Sequence, residues 1–231
     1  MEIILVRHAE PAWADESGQA VNDPGLTERG RQQAKIVAER LARDLDGPSE
    51  LLVSTAKRAL ETAEPIAEAL GLEPQVQEWI HEIRLPPEWE GTPAEEVSRV
   101  LKEHRHQPRE AWFQGIPGHG ESFLDFHERV TAGLEATLNE RGVERHRADE
   151  EHLWWVPDDL PRLVIIGHAG TNSSILGHLL GLTPQPWEWE RFSSNHASVT
   201  RLDTTAIAGG RIWSLQLFSG VAHFDAEHIT S

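Results

Sequence analysis

The sequence contains no cysteine, which removes disulfides, thiolate nucleophiles and cysteine-ligated zinc from consideration. Tyrosine is absent as well. Basic residues are scarce, with Lys plus Arg at 21 against Asp plus Glu at 38, for a formal charge of −17. Nucleic acid and anionic membrane surfaces both demand a basic footprint, so neither is an expected partner. Small anions respond to the local field of a cleft and are not excluded by that balance. No apolar run approaches the ~18 residues that a membrane span needs. Met1 is followed at once by Glu2 and an apolar run, without a basic n-region or a small-residue cleavage site. No signal peptide is therefore expected, and the expected location is the cytoplasm. What remains is 231 residues, 39% hydrophobic and 26% charged, which suits one well-buried domain spanning 1–231.

The chain opens on its most informative stretch. Ile3-Ile-Leu-Val6 reads as a buried strand and runs straight into Arg7-His8, two basic groups that are costly at a core edge unless they find a partner. Residues 11–25 form a loop, and Thr27 is the expected N-cap of a helix carrying Ala34, Val37, Ala38, Leu41 and Leu45 on one face. Leu51–Ser54 is a second strand, 55–70 a second helix with Pro65 inside it, and 74–78 a third strand. Alternation of this kind predicts an α/β protein: three layers, a mostly parallel central sheet, and helices on both faces. Residues 79–121 break up into loops around a short helix at 93–104, the makings of a cap. Ser122 is the expected N-cap of a helix with Phe123, Phe126, Val130, Leu134 and Leu138 inward. A charged insertion at 140–161 precedes a strong strand, Leu163–Ile166, which leads into Gly167-His168. Two last strands, 197–202 and 212–218, are expected near an edge of the sheet.

Two buried strands thus end alike, in Arg7-His8 and in Gly167-His168, and ligands of open α/β sheets sit beyond the carboxyl ends of strands. The second strand ends at the same edge and opens the helix that carries Arg58 in its first turn. A cation there opposes the helix dipole, and an anion bound at that helix start would offset it. Arginine forks match phosphate oxygens, and neighbouring arginines keep an imidazole neutral and nucleophilic. This constellation suits phosphoryl transfer, where positioning and charge stabilisation supply most of the catalysis. One histidine would accept the phosphoryl group and the other would donate a hydrogen bond to it. A departing alkoxide also needs a proton from a carboxylic acid at the cleft mouth.

In order along the chain, Arg7-His8-Ala9-Glu10, Asp23-Pro-Gly-Leu-Thr27 with Gly30 and Gln33-Ala34, Ser54-Thr-Ala-Lys-Arg58-Ala-Leu-Glu-Thr62-Ala63, Glu82 ahead of Trp89-Glu-Gly91, Gly120-Glu121-Ser122 and Gly167-His-Ala-Gly-Thr171 resemble the signatures of the histidine phosphatase superfamily, the phosphoglycerate mutase-like fold. The resemblance spans about residues 3–202. It implies His8 as the phosphorylated nucleophile, Arg7, Arg58 and His168 as the phosphate pocket, and Glu82 as proton donor, with Glu78, Glu88 or Glu90 as rival donors. It implies hydrolysis of a small phosphorylated metabolite, with no metal and no organic cofactor. Phosphoglycerate mutase-type transfer is the alternative; the mutases it resembles carry a tyrosine beside the acid, and this chain has none. A non-catalytic phosphate- or partner-binding member of the fold is the third reading. The oligomeric state is open.

The remaining signals read as structural. His104, His106, His146 and His152 lie in charged stretches without the spacing of a metal site and read as solvated. Trp187 and Trp189 read as packing, whereas Trp13, Trp89 and Trp112 sit in loops that would roof the cleft. Glu121-Ser122 reads equally as a helix cap or as pocket lining.

Overall fold

The computed structural model describes residues 1–146 and 152–231. Along the chain run β1 (Glu2–Arg7), α1 (Glu28–Asp44), β2 (Ser49–Ser54), α2 (Lys57–Leu70), β3 (Pro74–Gln77), α3 (Ala94–His104), α4 (Arg109–Phe113), α5 (Phe123–Asn139), β4 (Glu144–Arg145), β5 (Trp154–Trp155), β6 (Arg162–Gly167), α6 (Ala169–Leu179), α7 (Glu188–Arg191), β7 (Val199–Ile207) and β8 (Gly210–Gly220). The strands form one sheet in the order β3-β2-β6-β1-β7-β8-β5-β4.

The period of two along each strand divides the core into two layers. Ile3 and Leu5 of β1, Leu163 and Ile165 of β6 and Leu202 of β7 pack on Phe123, Phe126, Val130 and Leu134 of α5 and Ile175 and Leu179 of α6. Ile4, Val6, Val164 and Ile166 face the other way, onto Val37 and Leu41 of α1 and Ala63 and Ile66 of α2. Covering both faces is what lets β1 and β6 be continuous apolar runs instead of alternating ones. The helix starts are fixed locally. Thr27 Oγ1 accepts from the Gly30 N–H at 2.9 Å, and Ser122 Oγ from the Asp125 N–H at 3.1 Å, each a side-chain N-cap. Pro65 lies inside α2, which runs on to Leu70 and stops at Gly71 in the left-handed conformation, φ 64°, a backbone glycine adopts without a Cβ penalty.

The α/β class and its helix layers are as expected; the sheet is mixed rather than mostly parallel. β3, β2, β6 and β1 are mutually parallel, but β7 pairs antiparallel with β1, and β8 and β5 continue antiparallel. β7 therefore sits in the middle of the sheet, and β4 and β5 supply the edge. Periodicity reports which residues are buried, not which strand lies beside which. The expected insertion is partly built into the sheet: Trp154 is buried in the core against Trp213, with ring centroids 6.3 Å apart. Its residues 147–151 lie outside the described residues. Among the described residues no helix is long and apolar enough to cross a membrane.

A Cβ at Gly30 would stand 2.2 Å from the Glu10 carbonyl oxygen. That close approach seats α1 against the loop leaving β1. Gly30→Ala would ordinarily favour a helix, but here it is expected to cost about 1–3 kcal/mol, read as a lower urea midpoint. An unchanged midpoint would show that the loop is not held by this contact.

Candidate active site

The order of the strands explains how the site assembles. β6 slots between β2 and β1, in register Val53↔Ile166 and Arg7↔Gly167, so the three carboxyl ends are level. His168 is thereby set between the strand that delivers His8 and the strand that leads to Arg58. Because β7 runs antiparallel to β1, with Val6 opposite Val199, the residues just before β7 arrive at the same edge.

His8 and Arg58 are each 3% exposed and His168 is fully buried. His8 Nδ1 lies 2.8 Å from the Ala9 carbonyl oxygen, so it must be the donor, and Nε2 keeps its lone pair. Burial first, then the charges of Arg58 and Arg7, hold the His8 pKa well below the ordinary imidazole range, so the ring is a neutral base at neutral pH. The ring centroids of His8 and His168 are 5.0 Å apart. His168 Nε2 pairs with Ser54 Oγ at 2.8 Å, and its pKa is likewise pushed well down, by burial and then by Arg58.

The two arginines hold buried N–H groups without hydrogen-bond partners, Nε of Arg7 and Nε and Nη1 of Arg58. Such donors are costly, and an anion beyond the strand ends would satisfy them. Arg58 leans on the ring of Trp13, 4.9 Å from its centroid, and lies 3.5 Å from Asp23 Oδ1. The same Asp23 oxygen accepts from the Lys57 N–H at 2.9 Å, so a carboxylate already occupies the α2 start where an anion was expected. Burial lowers the Arg7 pKa to about 10, opposed by Glu82.

Glu82 joins this group from the far side. Its Oε2 accepts from the Gly170 N–H at 2.8 Å, at the start of α6, and its Oε1 from the Ile83 N–H at 3.1 Å. A Cβ on Gly170 would meet Oε1 at 2.5 Å, so a side chain there would displace the Glu82 carboxylate from this position. The Glu82 charge acts on both Arg7 and Arg58. The rival carboxylates are engaged elsewhere: Glu78 binds Arg84 and Thr55, Glu88 binds His119, and Glu90 Oε2 accepts from the Asn22 N–H. Glu121 pairs with Arg84 and Arg129, and Ser122 caps α5.

Sequence reasoning missed His196. Its Nε2 lies 3.0 Å from Nη2 of Arg7; arginine can only donate, so the imidazole accepts, and its Nδ1 then donates to Thr230 Oγ1 at 2.9 Å. Arg7 also donates to the Ser194 carbonyl. The tail, patternless in sequence, is held here by Gln33 Nε2, which donates to the His228 carbonyl and to Thr230 Oγ1. Of the tryptophans expected over the cleft, Trp13 reaches Arg58, Trp89 is buried, and Trp112 packs on His104, Trp187 and Trp189. His104 is thus buried and not solvated, because it faces that aromatic cluster.

Neutral imidazoles and largely buried guanidiniums thus meet at the carboxyl edge of a helix-covered α/β sheet. The chain belongs to the histidine phosphatase superfamily (branch 1), whose family model matches residues 3–211. Over 97% of its length it is 29% identical to phosphoglycerate mutase-like protein 4 of Arabidopsis thaliana, covering 87% of that protein. A shorter stretch, 58% of this chain and 63% of the relative, is 38% identical to phosphoserine phosphatase 1 of Hydrogenobacter thermophilus. A solved mycobacterial glucosyl-3-phosphoglycerate phosphatase with inorganic phosphate has TM-score 0.68 at 26% identity, covering 97% of this chain and 99% of that one.

The buried imidazoles make stability depend on pH. His8, His168 and His196 all have folded pKa values below the ordinary 6.5, that of His196 at about 3. The unfolded chain therefore binds protons first, and stability is complete above about pH 6.5 and lost as pH falls below it. Each such histidine costs about 1.4 kcal/mol per pH unit there. From these three, urea unfolding at pH 7.5 and 5.5 is expected to show a loss of about 4 kcal/mol, to which His223, its pKa held down to about 4 by burial and Arg40, adds in the same direction. His196→Gln is expected to make the loss shallower.

Proposed function

We propose that the protein is a phosphomonoesterase that hydrolyses a small phosphorylated metabolite through a phosphohistidine on His8. The carrying observation is the Nδ1–H bond to the Ala9 carbonyl, which leaves His8 Nε2 as an unprotonated nucleophile between two arginines. Nε2 attacks phosphorus, the P–O ester bond breaks, and the departing alkoxide takes a proton from the Glu82 carboxyl group. Water then attacks the phosphohistidine, giving its proton to the Glu82 carboxylate, and the P–N bond breaks to release phosphate and neutral His8. Arg7 and Arg58 neutralise the phosphoryl oxygens, and His168 donates a hydrogen bond to them. In this mechanism the protein's own cations supply the charge stabilisation, so turnover is expected to be unchanged by EDTA.

His8→Ala is expected to abolish both turnover and trapping of a phosphorylated protein; retained labelling overturns the assignment. Arg58→Ala should raise KM and lower kcat together, because contacts to the equatorial oxygens tighten in the transition state. Glu82→Gln tests the proton donor through the leaving group. It should slow hydrolysis of alkyl phosphates by about 10²–10⁴-fold and p-nitrophenyl phosphate far less, because nitrophenolate leaves without a proton. An equal loss on both esters removes Glu82 from that role.

Mutase-type transfer is the second reading, favoured by the full-length similarity to a phosphoglycerate mutase-like protein. The phosphohistidine is common to both readings, and the acceptor differs. Incubation with 3-phosphoglycerate separates them: free phosphate supports hydrolysis, and 2-phosphoglycerate supports the mutase.

A further inference from the structure

The floor of the site is cationic, but the side chains around its mouth are not. Arg84 is held between Glu78 and Glu121, and Arg129 is bound to Glu121 at 2.7 Å and to the His81 and Glu82 carbonyls. Lys57, beside Arg58, lies 3.9 Å from Glu61, Arg29 lies 3.5 Å from Glu10, and His119 lies 3.0 Å from Glu88. Glu121 serves two arginines, and each other pairing is at least one carboxylate to one cation. Asp23 and Glu90 add further negative charge beside Asn22 and Arg58. The basic group left on this side is His81, whose ring faces His168 at 6.1 Å and belongs to the floor. Arg84, Arg129, Lys57, Arg29 and His119 each lie within 4 Å of a carboxylate. A substrate that carried a carboxylate beside its phosphate would meet no partner there and would face like charge.

Trp13 gives the complementary half of the argument. Its ring stands over Arg58 at 4.9 Å and remains 43% exposed, an apolar surface directly beside the phosphate-binding guanidinium. Its loop is tied down: the Asp15 carboxylate accepts from the Ser17 and Gln19 N–H groups, and Ala14 bridges to Ala20. A held aromatic ring loses little entropy on binding and suits an apolar or aromatic alcohol.

We propose that the substrate's alcohol half is uncharged and carries an apolar or aromatic face, seated on Trp13, with carboxylate-bearing phosphate esters disfavoured by the mouth. This rests on the phosphomonoesterase reading above and narrows it to a substrate class.

The test uses two matched pairs, so that leaving-group chemistry cancels. 3-Phosphoglycerate is compared with its methyl ester, and 2-phenylethyl phosphate with ethyl phosphate. The ester should exceed the acid by about tenfold or more in kcat/KM at low ionic strength, and 0.5 M salt should narrow that ratio, because exposed charges are screened. Phenylethyl phosphate should exceed ethyl phosphate by about tenfold, a ratio that Trp13→Ala brings near one and Trp13→Phe largely keeps. Ratios are read within each variant, so a loss of Arg58 support that slows both esters does not enter. Preference for the acid, or equal rates for the phenylethyl and ethyl esters, overturns the substrate class and leaves the phosphatase reading standing. No turnover of any of the four and no labelling of His8 overturns the phosphatase reading itself.

Discussion

Two guanidinium groups, that of Arg58 buried and that of Arg7 largely so, lie at one edge of the sheet, and the site is arranged around the cost of keeping them there. Moving an ion out of water costs several kcal/mol even after relaxation. A direct carboxylate partner for each would recover most of that cost, but it would also fill the place of an anion. The structure offers weaker partners instead. Arg7 is held by a carbonyl and a neutral imidazole, and Arg58 by an aromatic face and a carboxylate at 3.5 Å. Glu82 acts on both through space while its own oxygens are taken by backbone N–H groups. Among the described residues, only Arg58 of the two has a carboxylate within ion-pair distance, at 3.5 Å, and buried N–H groups of both arginines remain without a hydrogen-bond partner.

The same cations decide the state of the histidines. His168 and His196 lie 5.0 and 5.6 Å from His8, ring centroid to ring centroid, an arrangement that would be costly if His8 and either neighbour were protonated. Burial and the arginines make it tenable by keeping them neutral. Neutrality then permits the tautomer assignments: His8 presents Nε2 because Nδ1 is committed to a carbonyl, and His196 accepts from Arg7 because its other nitrogen donates to Thr230. Electrostatics and hydrogen-bond geometry are one constraint here, because protonating His196 would remove the acceptor on which Arg7 rests.

The part of this legible in the sequence was the part that is local. An apolar run ending in Arg7-His8 or Gly167-His168 advertises its oddity within a few residues, and the first-turn position of Arg58 follows from the helix start. Strand order is not local. Nothing in the hydrophobic pattern says that β6 inserts between β2 and β1, or that β7 returns antiparallel beside β1, and so His196 and Ser194 could not be placed at the site. The tail was equally opaque, since 225–231 has no periodicity and its role comes from hydrogen bonds to Gln33 and His196. Glu82 was legible only through the motif context it resembles, because a carboxylate among prolines carries no local signal of where its oxygens go.

Floor and mouth obey different electrostatics, and that difference reconciles a net charge of −17 with an anion site. The floor charges are buried, so their attraction is felt at low effective dielectric and changes little with salt. The mouth pairs differ in exposure: Arg84 and Glu78 are 45% and 62% accessible, so beyond about 8 Å their field is screened at physiological ionic strength, whereas Arg129 and Glu121 are largely covered. In the proposed mechanism a phosphoryl group that reaches the strand ends would therefore be held by Arg7 and Arg58 whatever the sign of the surface. The rest of the substrate would remain within the carboxylate-rich zone, where the proposed repulsion would discriminate between alcohols. On the proposed reading, recognition of the phosphate belongs to the sheet edge, and selection among phosphate esters belongs to the loops above it.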